Sequence, residues 1–262
     1  MEILIDQKKV FAATGGVPFD NTKPTVVFLH GSGMDHRGWA LQTRWFAFHG
    51  FSVIAPDLPG HSLSSGEPLT TIAEMGEWLV KVLDEMGVHS VHLVGHSQGF
   101  LVALEAAELL GRRLKSLTAI ATASAVPVNP ALIETAKESA AKASGMMLQW
   151  GFGQRAQMGL SAVPGLQPIA VGYHIMSANP LATDLEACNA YTSGVEKARS
   201  ISCPAQVILA EEDKMTPVKS GVALAGELGV TATVIKNAGH MLPIEAPDEC
   251  LSALRDFILS VR

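Results

Sequence analysis

The chain has 262 residues, 48% of them hydrophobic and 17% charged, with a formal net charge of −6. That length supports a large core and suits one domain with an insertion better than two full domains. Charges of both signs are scattered, which argues against a nucleic-acid or anionic-lipid surface, and no run of about 20 apolar residues is present to span a bilayer.

The opening MEILIDQKKV has an acidic residue at position 2 and no basic-then-apolar leader, so a cytoplasmic protein is expected. The alternating runs 2–6 and 8–14 predict an antiparallel strand pair. Apolar, β-branched runs at 24–31 and 51–57 predict buried strands, and the series continues at 91–95, 114–123, 205–210 and 231–239. Helical patterns separate them. Over 70–87 the residues Ile72, Met75, Leu79, Val82 and Met86 share one face, Thr71 and Glu74 have capping-box spacing, and Gly87 stands as a C-terminal stop. A second helix over 99–111 stops at Gly111. The last begins near Pro247 and turns Leu251, Leu254 and Ile258 inward.

Strand–helix alternation of this kind predicts the α/β class: a mostly parallel, doubly wound sheet with helices on both faces. The rhythm breaks over 125–200, a helix-prone stretch rich in Met, Gly and Pro. Only Lys142 and Arg155 are charged between Ser139 and Thr183. We read 125–200 as a helical cap inserted into a core made of 1–124 and 201–262, covering the sheet's C-terminal edge, where open α/β sheets bind ligands. Cys188, Cys203 and Cys250 are odd in number and widely spaced, as reduced structural thiols are. No metal-ligand cluster or phosphate-cradling motif is present, so no metal or cofactor is expected.

Gly-His-Ser occurs twice, at 60–62 and 95–97. A serine nucleophile needs a base, exposure and nearby donors for an oxyanion. One solution places it on a sharp strand-to-helix turn with glycine two residues before and two after, written G-x-S-x-G. The second copy fits: Gly95-His96-Ser97-Gln98-Gly99 lies between a predicted strand and a predicted helix. The first copy has Ser64 where the second glycine belongs, and loop sequence follows it. Ser97 is therefore the candidate nucleophile.

The base should be a histidine. Of nine, His240 alone follows the last predicted strand, which brings it to the sheet edge of Ser97. The acid should also leave a strand at that edge, and Glu211, Glu212 and Asp213 follow the penultimate one; Asp213 is the candidate and Glu212 the alternative.

Ser97 in GHSQG, Asp213 in AEEDKMTP and His240 in NAGHMLPIEAP, in that chain order, resemble the α/β-hydrolase fold superfamily. The resemblance runs from VVFLHGSG to the last helix. It implies oxyanion donors at the backbone N–H groups of Ser32, in the HGSG loop, and Gln98. DLPGHSLSS resembles the superfamily's Asp-x-Pro-Gly-His-Gly-x-Ser segment, with Ser62 replacing the usual glycine and Ser64 matching. Gln98 and Phe100 stand where relatives often carry Met and Gly. A substrate pocket is expected around Gly31, Gly33 and Met241 together with Met147, Trp150, Phe152, Met158 and Tyr173 of the insertion.

The expected activity is hydrolysis of a small to medium, largely apolar carboxylic ester through an acyl-enzyme. A small-molecule substrate is the expected partner, with neither nucleic acid nor membrane. Lactone, amide or C–C hydrolysis, lyase or perhydrolase chemistry, and a ligand-binding receptor are the alternatives. Haloalkane dehalogenases and epoxide hydrolases of this fold carry an aspartate nucleophile where this chain has Ser97.

Overall fold

The computed structural model describes residues 1–261. Eight strands form one sheet: β1 (Glu2–Ile5), β2 (Lys8–Ala13), β3 (Thr25–Leu29), β4 (Ser52–Pro56), β5 (Val91–His96), β6 (Leu114–Ile120), β7 (Ala205–Ala210) and β8 (Thr233–Ile235). Their spatial order is β1-β2-β4-β3-β5-β6-β7-β8. The β1–β2 and β2–β4 pairs are antiparallel; the rest are parallel.

Every residue of β3, β4 and β5 is buried, as strands covered on both faces must be. Alternate side chains go to opposite faces: Val27 and Leu29 join one apolar cluster, Val26 and Phe28 the other. The first cluster is closed by α2 (Ile72–Glu85), α3 (Gln98–Leu110) and α10 (Val218–Glu227). The second is closed by α1 (Ala40–Phe48), the short α11 (Leu242–Glu245) and α12 (Pro247–Ser260). The capping box of α2 is formed in both directions, Thr71 Oγ1 accepting from Glu74 N at 3.2 Å and Glu74 Oε2 from Thr71 N at 3.1 Å.

Two predicted strands are shorter than expected, and both end where functional loops begin. The 114–123 strand stops at Ile120 because Ala121 turns to φ 46°, out of the ladder. The 231–239 strand is only β8, so residues 236–241 form a loop that carries His240 over the sheet edge.

Between β6 and β7 lie α4 (Pro130–Glu138), α5 (Ala140–Gly151), α6 (Gln154–Gln157), α7 (Pro168–Met176), α8 (Leu181–Ala190) and α9 (Gly194–Ser200). Phe152, Met147, Leu148, Ile175 and Leu185 make a third apolar cluster, which includes Met34 and Met241 of the core loops. The helix α9 packs instead against α3 and α10 beside the sheet. No helix among the described residues is long and apolar enough to cross a membrane.

Candidate active site

Ser97 follows β5 and caps α3 with φ 52° and ψ −121°. A non-glycine residue in this region costs about 1–3 kcal/mol and persists only where its surroundings enforce it. The glycines on either side show the enforcement. A Cβ on Gly95 would lie 2.4 Å from the Phe100 backbone, and one on Gly99 would lie 2.3 Å from Leu29 O. The spacing therefore allows β5, α3 and the end of β3 to meet at one point, with Ser97 at the positive end of the α3 dipole.

His240 and Asp213 meet in the loops after β8 and β7. His240 Nδ1 lies 2.8 Å from Asp213 Oδ2, and both residues are buried. Asp213 Oδ1 accepts from the N–H groups of Met215 and Thr216, each at 2.8 Å, and the Thr216 hydroxyl lies 2.8 Å from Oδ2. Burial alone would raise the Asp213 carboxyl, but the His240 ring and the Thr216 donors outweigh it and hold the group below its ordinary value. An ionised acceptor at Nδ1 favours the tautomer that leaves Nε2 unprotonated. The alternative acid, Glu212, turns away from the ring and accepts from Gln154 N at 2.6 Å, at the start of α6.

His96 supports the arrangement from below. Its Nε2–H donates to His240 O at 2.8 Å, and burial, followed by the neighbouring His240, pushes its pKa down to about 3. It is a neutral strut for the His240 loop. Gly31 passes directly over it, since a Cβ there would lie 2.9 Å from His96 Nδ1.

Ser97 and His240 open into one cavity of about 160 Å³. Gly31 and Ser32 line it beside them, and its walls are Met34, Val126, Leu132, Met147, Leu148, Met176, Leu185, Met215 and Met241. The exposed residues Asn129, Trp150 and Lys214 also line it. Gln98 is buried as the first residue of α3, where helix N–H groups lack partners within the helix, and its side chain points to Met75 Sδ at 3.3 Å.

The profile of the Alpha/beta hydrolase family matches residues 26–253. The chain belongs to this family. Among curated relatives, 3-oxoadipate enol-lactonase 1 of Acinetobacter baylyi is 24% identical over 258 residues, covering 91% of this chain and 90% of that protein. A dihydrolipoyllysine-residue acetyltransferase component of the acetoin cleaving system, from Cupriavidus necator, is 37% identical over 97 residues. That match covers 37% of this chain and only 26% of the relative's length. Among solved structures, a malate-bound thermophilic esterase from Thermogutta terrifontis superposes with a TM-score of 0.83 at 20% identity, covering 100% of this chain and 98% of that one.

Four expected pocket residues lie outside the cavity. Phe152 is fully buried within the helical insertion, where it and Leu148 crowd Gly172 on α7. Met158 and Tyr173 sit on outward faces, 63% and 42% exposed. Gly33 turns to φ 67° beneath Leu181, away from the cavity. In their place Val126, Pro127, Val128 and Asn129, in the loop leaving β6, line it together with Leu132, Leu185 and Cys188. Position after a strand end was the available signal for that loop. Asp35, His36 and Asp57 bring ligand-type atoms within 4.8 Å of one another. Asp35 already holds the Arg37 guanidinium at 2.6 Å and Asp57 the His36 ring at 2.8 Å, so the group serves as an internal brace.

Proposed function

We propose that this hydrolase cleaves a small to medium, largely apolar carboxylic ester through an acyl-enzyme on Ser97. The supporting observation is the 2.8 Å contact of His240 Nδ1 with Asp213 at the cavity into which the strained Ser97 elbow opens. Ser97 Oγ attacks the carbonyl carbon and its proton passes to His240 Nε2. The N–H groups of Ser32 and Gln98 hold the oxyanion, each worth about 3–4 kcal/mol in the transition state. His240 then protonates the leaving alcohol, and a water deprotonated by the same ring releases the acid. Asp213 stabilises the imidazolium throughout. Helices α4–α8 act as the cap, and their Met-rich wall suits flexible acyl chains. The test is a panel of short and medium acyl esters and lactones with Ser97→Ala as control; no turnover above that control would refute the reading.

A second reading is favoured by Lys214, which lines the cavity and has no hydrogen bond or ion pair among the described residues. A free cation beside an apolar cavity suits a lactone or ester that carries a carboxylate away from the scissile bond. The enol-lactonase relative is consistent with this. Preference for a half-ester of a dicarboxylic acid over the neutral ester, abolished in Lys214→Met, would select it.

A further inference from the structure

Ser32 lies in a loop that leaves β3 with no ladder to fix its peptide planes, yet an oxyanion donor must be aimed within tight limits. The restraint comes from the insertion. Gly33 N donates to Asp184 Oδ2 at 2.7 Å, and Asp184 is on α8. Asn179, two residues before α8, places Nδ2 3.0 Å from Gly33 O and 3.1 Å from Met34 O. Leu181 fills the space over Gly33, and Cys188 Sγ lies 3.5 Å from Ser32 Oγ. One face of α8 and the residues before it thus back the peptide after Ser32.

Asp184 is itself held. His61 Nε2 lies 3.0 Å from the same Oδ2, and His61 Nδ1 lies 3.1 Å from Pro59 O. Both partners are acceptors, so the arrangement is satisfied in full by the imidazolium form, in which both ring nitrogens donate. The two side chains are 1% and 0% exposed. His61 comes from the loop after β4, so the pair joins core to insertion directly behind the HGSG loop. Asp184 Oδ1 has no hydrogen-bond partner among the described residues, which leaves Oδ2 as the working oxygen.

We propose that Asp184 and Asn179 are positioning residues that aim the Ser32 N–H at the oxyanion, with His61 fixing the Asp184 carboxylate against Gly33 N. The inference rests on the serine-hydrolase reading. Ground-state binding is set by the apolar walls, whereas oxyanion contacts strengthen only in the transition state. Loss of the restraint should therefore act on kcat.

The experiment compares wild type, Asp184→Ala, Asp184→Asn and Asn179→Ala on one neutral ester. It also measures affinity for an alkyl boronic acid, which mimics the tetrahedral adduct, and for the unreactive amide analogue of the substrate. Asp184→Ala is expected to lower kcat about 10²-fold, the scale of a 1 Å misplacement, with KM changed less than about 3-fold. Boronate affinity should fall with kcat while amide affinity holds. Asp184→Asn, whose amide oxygen can still accept from Gly33 N, should recover part of the loss. A folded Asp184→Ala with kcat within about 2-fold of wild type, or with amide and boronate affinity lost equally, overturns the proposal. Asn179→Ala carries the same reading if Asp184→Ala does not fold. Absence of ester turnover by wild type would instead refute the hydrolase reading. The rate at which an alkyl fluorophosphonate labels Ser97 still reports the loop, because its P=O occupies the same hole as Oγ–P forms, fluoride leaves and the proton passes to His240. Labelling slowed in Asn179→Ala supports the positioning role, and an unchanged rate overturns it.

Discussion

Replacing Asp213 by asparagine keeps its shape and removes its charge, and the surrounding donors dictate the outcome. Oδ1 faces two backbone N–H groups that cannot change role, each at 2.8 Å. An asparagine that turned its NH2 toward them would leave two buried donors unpaired, at about 1–3 kcal/mol each. The amide oxygen therefore stays on the Met215 and Thr216 side, and the NH2 faces His240 Nδ1. That ring nitrogen must then accept, the proton moves to Nε2, and the base for Ser97 is lost. An equivalent tautomer exchange in a serine protease costs about 10⁴-fold in kcat, which is about 5.5 kcal/mol at 1.36 kcal/mol per decade. The Thr216 hydroxyl, 3.2 Å from Nδ1, is too weakly placed to restore the tautomer. The assay is kcat on a saturating neutral ester near pH 7.5, with unchanged KM expected. Glu212→Gln serves as the companion: its new oxygen still accepts from Gln154 N, and kcat should stay within about 3-fold. An Asp213→Asn enzyme within about tenfold of wild type, or an equal loss in Glu212→Gln, would refute the reasoning.

Ser97→Ala should reduce ester turnover by about 10⁴-fold or more, whereas Ser62→Ala should keep most activity, because Ser62 contributes its backbone N–H to Asn179 rather than its hydroxyl; the reverse pattern in kcat would sink the assignment. Gly99→Ala forces a methyl to 2.3 Å from Leu29 O and should destabilise the fold by about 1–3 kcal/mol, visible as a lowered melting temperature; an unchanged melt would show that β3 and α3 can separate freely. For the His61–Asp184 pair, burial alone would lower the His61 pKa, but the Asp184 charge and hydrogen bond outweigh it and raise it. Asp184 is held low by His61 and the Gly33 N–H against the raising effect of burial. His30, kept neutral by burial and then by His61, and Asp57 are the other titratable neighbours. A raised histidine contributes stability that is complete below its unfolded pKa of about 6.5 and is lost as pH rises through the folded value. The lowered aspartate contributes above about pH 3.9 and loses its share as pH falls through its folded value. The stability gap between wild type and His61→Asn in urea should therefore shrink between pH 6 and pH 9; a gap that grows would contradict the ion pair.

The strands and the turn at Ser97 were legible because each leaves a short pattern in the sequence. Parallel strands buried on both faces read as unbroken apolar runs, as in Val26 to Leu29, and the two glycines around Ser97 answer to contacts with their immediate neighbours in the fold. Of three adjacent carboxylates the sequence made Asp213 the candidate and Glu212 the alternative, and Asp213 is the one that meets His240, but what turns it inward was not legible. That choice depends on where the Met215 and Thr216 amides point, which the letters EED do not encode. The pocket failed for a similar reason. Phe152 and Met158 follow the ends of α5 and α6 and Tyr173 lies on α7, and the direction each side chain takes is set by tertiary packing, so composition could not separate buried from lining from exposed. His61 and Asp184 are 123 residues apart, and no period or spacing links them.

The duplicated Gly-His-Ser shows where local pattern gives way to context. Both serines turn to the left-handed region, Ser62 at φ 44° and Ser97 at φ 52°, and both copies come at or after the end of a strand of the parallel sheet. The superfamily's usual glycine at position 62 fits the same backbone, since glycine adopts a positive φ without strain. The copies diverge in the segment C-terminal to the serine and in the partner each histidine holds. After Ser97 comes α3, and His96 supports the carbonyl of His240. After Ser62 comes a loop, and His61 grips Asp184 of the insertion. One turn presents a candidate nucleophile with its base; the other ties the insertion to the loop that would receive the oxyanion. If that division is correct, substitutions at His96 and His61 should both lower kcat. Only those at His96 should displace His240 and distort the pH–rate profile, and only those at His61 should be mimicked by Asp184→Ala.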